Sequence, residues 1–99
     1  MYAKKVDANQ KQIVLELRQL AFSVFCTHTQ GQGFPDLVIG RNGDTFLVEV
    51  KDKKGTLTPD QLLFIENWRG APIIIARSTE EILTAIDIQL SNTHKSYIT

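Results

Sequence analysis

Apolar and polar positions along this chain repeat with two different periods, and those periods predict its elements. Between residues 7 and 21, Ile13, Val14, Leu17, Leu20 and Ala21 fall at i, i+1, i+4, i+7 and i+8, the single stripe of an amphipathic helix. Asp7 stands where its N-cap belongs, and Gln10 completes a D-x-x-Q variant of the capping box. Residues 22–28, FSVFCTH, are aromatic and β-branched enough for a strand, and the polar, glycine-bearing THTQGQG that follows predicts a loop. Two strands, Asp36–Ile39 and Thr45–Lys51, then flank Gly40-Arg41-Asn42-Gly43-Asp44. Asn-Gly between apolar runs is a hairpin signal, because a type I′ turn needs positive φ at both central residues.

Helical punctuation returns at Thr58-Pro59-Asp60-Gln61, with Thr58 as N-cap, Pro59 at the first helical position and Gln61 closing a capping box. This helix is expected to run to about Arg69, with Gly70 as a left-handed stop. APIIIA (71–76) is a short apolar run of the kind buried on both faces, as in central or parallel strands. Ser78 with Glu81 opens a last helix through about Leu90, which leaves SNTHKSYIT as a polar tail or short edge strand. The order helix, strand, hairpin, helix, strand, helix predicts an α/β domain, a mixed β-sheet flanked by helices.

Composition narrows the function classes. Ninety-nine residues make one small domain, and 42% hydrophobic with 22% charged residues is ordinary for a globular chain. No apolar run approaches the roughly 18 residues of a membrane span, and the basic, polar MYAKKVDANQKQ lacks the apolar segment of a secretory signal. The expectation is a cytoplasmic protein with no membrane partner. One cysteine, Cys26, excludes an intramolecular disulfide, and His28 and His94 alone supply no zinc site. Eleven basic residues balance eleven acidic ones, so any affinity for nucleic acid must come from a local patch.

The hairpin register gathers the chemistry. With Asn42-Gly43 as the turn, Ile39 lies opposite Phe46, Val38 opposite Leu47, Leu37 opposite Val48, and Asp36 opposite Glu49. Directly opposite residues share a face with Cβ atoms about 5 Å apart. Lys51, two residues beyond Glu49, joins the same face, while Leu37, Ile39, Phe46, Val48 and Val50 take the other as core. Two adjacent carboxylates share a proton, pair with a cation or ligate a metal. Mg²⁺ suits such a site, since it takes one or two carboxylates plus water and substrate phosphate. The bland alternative is that Lys51 simply neutralises Asp36 and Glu49 at a sheet edge.

Pro35-Asp36, twelve intervening residues and Glu49-Val50-Lys51 resemble the motif of the PD-(D/E)XK nuclease superfamily. From Asp7 to about Arg77 the chain looks most like the small VRR-NUC-type proteins of phage and bacteria, and like Holliday-junction resolvases. The resemblance implies a restriction-endonuclease-like core in α-β-β-β-α-β-α order, with residues 1–99 a single domain. It implies Asp36, Glu49 and the Val50 carbonyl as ligands of Mg²⁺ or Mn²⁺, Lys51 and Gln61 as further catalytic residues, and DNA as substrate. Gln10 falls where many resolvases carry a glutamate. It could ligate through its carbonyl oxygen but brings no charge, which puts a second metal ion in doubt; Glu16 is taken as solvated. Lys53, Lys54 and Gln32 are the expected nucleic-acid contacts, with the N-terminus of the helix at Thr58 holding flanking phosphates.

The function so implied is a metal-dependent DNA endonuclease acting on duplex or branched DNA, four-way junctions included. A catalytically inactive nuclease fold serving as a nucleic-acid-binding or assembly module is the rival from another class. A homodimer is expected, with Ile82, Leu83, Ala85, Ile86, Leu90 and the Tyr97-Ile98 tail contributing.

Overall fold

The computed structural model describes residues 8–27, 31–52 and 54–98, with side chains to Asn92. The expected N-cap Asp7, His28 and Lys53, and the side chains of His94, Tyr97 and Ile98, lie outside the described residues. The elements are α1 (Ala8–Gln19), β1 (Ser23–Cys26), β2 (Leu37–Arg41), β3 (Asp44–Val50), α2 (Pro59–Asn67), β4 (Ile74–Ala76) and α3 (Thr79–Ile98). One four-stranded sheet runs in the order β1-β2-β3-β4, with the first three strands antiparallel and β4 parallel to β3. The architecture is α/β with a mixed sheet flanked by helices, in the α-β-β-β-α-β-α order that the periodicities predicted.

Turn chemistry sets the hairpin. Asn42 and Gly43 have φ of 56° and 85°, both positive as a two-residue type I′ turn requires. The pairs are those expected: Leu37 with Val48, Val38 with Leu47, Ile39 with Phe46 and Arg41 with Asp44. Alternation along the strands then buries Leu37, Ile39, Phe46, Val48 and Val50 on one face. Onto it pack Ile13, Val14 and Leu17 of α1 and Ile82 and Ile86 of α3, together with Phe22, Ile74 and Ala76. Each fully buried aliphatic side chain of this kind contributes about 1.5–3 kcal/mol relative to exposure.

Several details differ from expectation. The buried stripe of α1 ends at Leu17; Leu20 is exposed, because the helix stops there in a left-handed C-terminal motif. Ala21, at φ 70°, is its C′ residue: Ala21 N–H donates to Arg18 O (3.1 Å) and Phe22 N–H to Leu17 O (3.0 Å). Arg41 secures the junction, with its guanidinium 4.0 Å from the centre of the Phe22 ring and donating to Leu20 O at 3.1 Å.

The second difference is in α2, which ends at Asn67. Trp68 turns into extended backbone (φ −71°, ψ 127°), and Gly70 has no positive φ. Its smallness serves a close approach instead, because a Cβ there would lie 2.7 Å from Trp68 Nε1. Third, β4 is parallel as expected but forms a sheet edge, so Ile74 and Ala76 are buried while Ile75 is 41% exposed.

Last, residues 91–98 are neither tail nor strand but the continuation of α3. Ser78 caps that helix by accepting from Glu81 N–H (3.1 Å), while the Glu81 carboxylate accepts from Arg77 N–H (2.7 Å). Because Ile82 and Ile86 are buried against the sheet, α3 belongs to the one hydrophobic core. Glu16 is also more than a solvated charge. Its carboxylate accepts from the Thr79 hydroxyl (2.5 Å) and from Gln12 (2.9 Å), tying α1 to α3, and these hydrogen bonds, Thr79's foremost, hold its pKa below the usual glutamate range.

The left-handed Ala21 gives a test of the local reading. Ala21→Gly removes the Cβ penalty at that conformation and is expected to stabilise the fold by about 1 kcal/mol, measured as a rise in denaturation midpoint. An unchanged or lowered midpoint would contradict the left-handed cap.

Candidate active site

Three elements deliver the polar residues that the core face excludes. The loop before β2 delivers Asp36, the end of β3 delivers Glu49 and Lys51, and the first turn of α2 delivers Gln61. The observed register ends at Leu37 with Val48, and continued by one residue it sets Asp36 against Glu49 on the face away from the core. Both are out of solvent, at 5% and 2% exposure. Backbone bonds fix the approach: Thr27 donates from its N–H to Asp36 O (2.7 Å) and from its hydroxyl to Pro35 O (2.6 Å).

Buried charges need partners, and each of these has them. Asp36 Oδ2 accepts the Val50 N–H at 3.0 Å, so its carboxylate takes the place of a backbone acceptor beside Glu49. Glu49 Oε2 accepts from Gln61 Nε2 at 2.9 Å and lies 3.6 Å from Lys51 Nζ. Lys51 Nζ donates to Gln61 Oε1 at 2.7 Å. The amide of Gln61 is thereby oriented without ambiguity. Its oxygen faces two pure donors, the Lys51 ammonium and the Thr58 N–H (2.9 Å), so its nitrogen must face the carboxylate of Glu49.

Sequence reasoning offered two accounts of Gln61, a helix cap and a site residue, and the structure joins them in one side chain. Gln61 N–H donates to Thr58 Oγ1 (3.2 Å) and Gln61 Oε1 accepts from Thr58 N–H, which completes the capping box. The same oxygen then holds Lys51. One consequence runs against expectation. The capping box occupies the Thr58 and Gln61 N–H groups, Pro59 has none, and Asp60 adds negative charge to the first turn, so this helix end is poorly furnished for gripping a flanking phosphate.

The remaining expected residues each have a setting of their own. Gln10 is buried in the first turn of α1, and its neighbour Asn9 donates to the carbonyls of Lys51 and Arg77, both at 3.2 Å. Asn9 thus ties α1 to the end of β3, a contact that no periodicity or motif announces. Lys54 is exposed in a turn organised by Asp52, whose Oδ1 accepts its N–H at 3.0 Å. Gln32 is exposed on the loop leading to Asp36. Gly33 in that loop, at φ 79°, lets the chain touch α2, since a Cβ there would lie 2.2 Å from Asp60 O.

A buried carboxylate held by an ammonium and an oriented amide, with a second buried carboxylate bonded to the neighbouring backbone N–H, on a hairpin between an amphipathic helix and a capped one, defines a specific arrangement. The family model for the VRR-NUC domain matches residues 1–79. The chain belongs to the VRR-NUC family. That family lies within the PD-(D/E)XK nuclease superfamily, so the protein is a nuclease domain with a restriction-endonuclease-like core. No curated protein and no solved structure matches the chain.

The donor set of this VRR-NUC domain fits a hard divalent cation. Asp36 and Glu49 offer carboxylate oxygens, the hard donors such an ion prefers. Among the described residues no group of three or more His, Cys, Asp and Glu side chains assembles, so carboxylates alone do not complete a cage. The Val50 carbonyl and the Gln10 amide are the neutral oxygen donors expected from the sequence.

Asp36 therefore has a structural duty separable from its chemistry. Asp36→Asn keeps an acceptor for the Val50 N–H, whereas Asp36→Ala leaves that donor buried and unmatched. The alanine variant should be less stable than the asparagine variant by about 1–3 kcal/mol in urea unfolding. Equal stabilities would show that the bond to Val50 carries no weight.

Proposed function

We propose that this VRR-NUC domain is a metal-dependent DNA endonuclease that hydrolyses phosphodiester bonds at Asp36, Glu49, Lys51 and Gln61. The observation that carries the reading is Lys51 Nζ, held 2.7 Å from Gln61 Oε1 and 3.6 Å from Oε2 of the buried Glu49, while the buried Asp36 bonds the next backbone N–H at Val50. A purely structural ion pair has no need of an amide clamp on its lysine or of a second carboxylate opposite the first.

Asp36 and Glu49, with the Val50 carbonyl, are the residues that would hold Mg²⁺ or Mn²⁺. When bound, such an ion supplies Lewis-acid polarisation of the scissile phosphate and acidification of the attacking water. Lys51 places its ammonium where negative charge grows on the phosphoryl oxygens, and Gln61 keeps it there with no reorganisation during the step. Water attacks phosphorus in line, the bond to the 3′ oxygen breaks, and the ends are 5′-phosphate and 3′-hydroxyl. Only two acids belong to the described site, which is the observation that favours the rival reading of a DNA-binding module without catalysis.

Cleavage assays on labelled duplex, single-stranded, flap and four-way DNA decide between them. Activity is expected with Mg²⁺ or Mn²⁺, none in EDTA, and a loss of at least about a hundredfold in Asp36→Asn, Glu49→Gln and Lys51→Ala with folding retained. Metal-stimulated cleavage undiminished in all three variants would place the chemistry elsewhere, and none from the wild type on any substrate would favour the binding module.

Duplex binding by a chain of 11.2 kDa is better served by two copies, and a homodimer suits a two-fold substrate such as a four-way junction. Ile82 and Ile86 are already committed to the core, so α3 would contribute its outward Ile88 and Leu90, with Ile75 of β4 alongside. Light scattering at micromolar concentration should give twice the chain mass. A mass of one chain, unchanged by DNA, overturns the dimer.

A further inference from the structure

Beside the candidate active site lies a cleft of about 360 Å³, lined by Gln32, Asp60, Leu63, Phe64, Asn67 and Trp68. We propose that this cleft takes an unstacked nucleobase of the DNA strand whose phosphate lies at Asp36 and Glu49, with Phe64 and Trp68 as its stacking wall. The proposal rests on the nuclease reading above and deepens it, because it specifies a substrate with an unpaired base next to the cut.

Continuity is the first argument. The two walls of the cleft are the two segments that build the site: the loop carrying Gln32 and Phe34 leads directly to Asp36, and α2 carries Gln61 one turn before Phe64. Gly33 brings loop and helix into backbone contact. A strand bound at the carboxylates therefore has this cleft as its neighbouring surface.

The aromatic wall is held in place before any ligand arrives. Phe34 meets Phe64 edge-on, at 5.3 Å between centroids and 74°, and Phe64 stacks on Trp68 at 5.5 Å and 16°. The Trp68 indole rests against Gly70, where a side chain would collide with it. Trp68 nevertheless stays 42% exposed and Leu63 57%. A helix built only to pack would bury these residues, yet α2 buries Gln61 alone.

Charge then selects the occupant. Among the described residues no lysine or arginine lines the cleft and Asp60 does, so this lining repels a phosphate. A carboxylate and two carboxamides around an aromatic wall instead match a flat ring with amine and carbonyl groups along its edge, as in a nucleobase. In a fully paired duplex that edge and both faces are occupied; at a flap, junction or single strand they are available.

Trp68 is the protein's one tryptophan, so its fluorescence reports the cleft directly. In EDTA, where no metal-dependent cleavage intervenes, the full chain is titrated with a single-stranded oligonucleotide, the matching blunt duplex, and a strand of abasic residues. Quenching is expected with the base-bearing strand and much less with the other two. Trp68→Ala should weaken single-strand binding about tenfold or more, read by anisotropy of labelled DNA, while Trp68→Phe stays near wild type. Circular dichroism establishes that both variants are folded.

Absence of quenching, equal quenching by the abasic strand, or unchanged affinity in a folded Trp68→Ala overturns the assignment. So does a Trp68→Ala variant that changes only the mass seen by light scattering, since the cleft would then be a contact between copies of the chain. Cleavage by the wild type, measured in parallel with Mg²⁺, keeps the two readings apart. Cleavage without quenching sinks the cleft and spares the nuclease; base-dependent quenching without cleavage supports the cleft and sinks the nuclease.

Discussion

Two carboxylates and an ammonium held largely out of water at the end of one hairpin are the constraint around which this small fold is arranged. Withdrawing such charges from solvent costs several kcal/mol per ion before any partner is found, so the surrounding structure has to furnish the partners at fixed positions. Asp36 takes a backbone N–H, Glu49 takes an amide and an ammonium, and Lys51 takes an amide oxygen. Each of these depends on another element. The type I′ turn decides that Asp36 meets Glu49, the capping box decides how the Gln61 amide is turned, and Gly33 decides how near α2 can come. A network satisfied to this degree is stiff, and stiffness is what electrostatic catalysis needs.

The hairpin was legible in the sequence because its signals are local and discrete. Asn42-Gly43 selects one turn, and strict alternation then assigns every residue from Asp36 to Lys51 to a face. The capping box at Thr58 and Gln61 was legible for the same reason. The contact of Gln61 with Lys51 and Glu49 follows from the crossover between β3 and β4, a tertiary fact that only the motif resemblance hinted at. Gly70 was misread because glycine after a helix usually supplies a left-handed cap, whereas here it makes room for an indole. APIIIA was misread because a short apolar run does not reveal whether a second face is covered. The reach of α3 past Leu90 did leave a trace, since neither glycine nor proline occurs after Pro72 to stop it.

Helix α2 serves two masters with opposite demands. Its buried Gln61 fastens the charged centre, while Phe64 and Trp68 on the following turns remain only partly covered. Because Gln61, Phe64 and Trp68 are spaced by three and four residues, they lie along one side of the helix end, and the position of the amide sets the position of the aromatic wall. Recognition and chemistry would then share one rigid element, with no separate domain needed to align them.

Sheet order has a consequence for how the protein survives at high concentration. The two outermost strands, β1 and β4, are the shortest at four and three residues, while the five- and seven-residue strands lie inside. Unpaired strand edges are templates on which other chains can add, and short ones offer few backbone groups to an intruder. Exposed apolar residues such as Phe25 on β1 and Ile75 on β4 would otherwise favour such stacking. Keeping the long strands central lets the protein carry sticky sheet residues beside its site without offering a long rail for fibre growth.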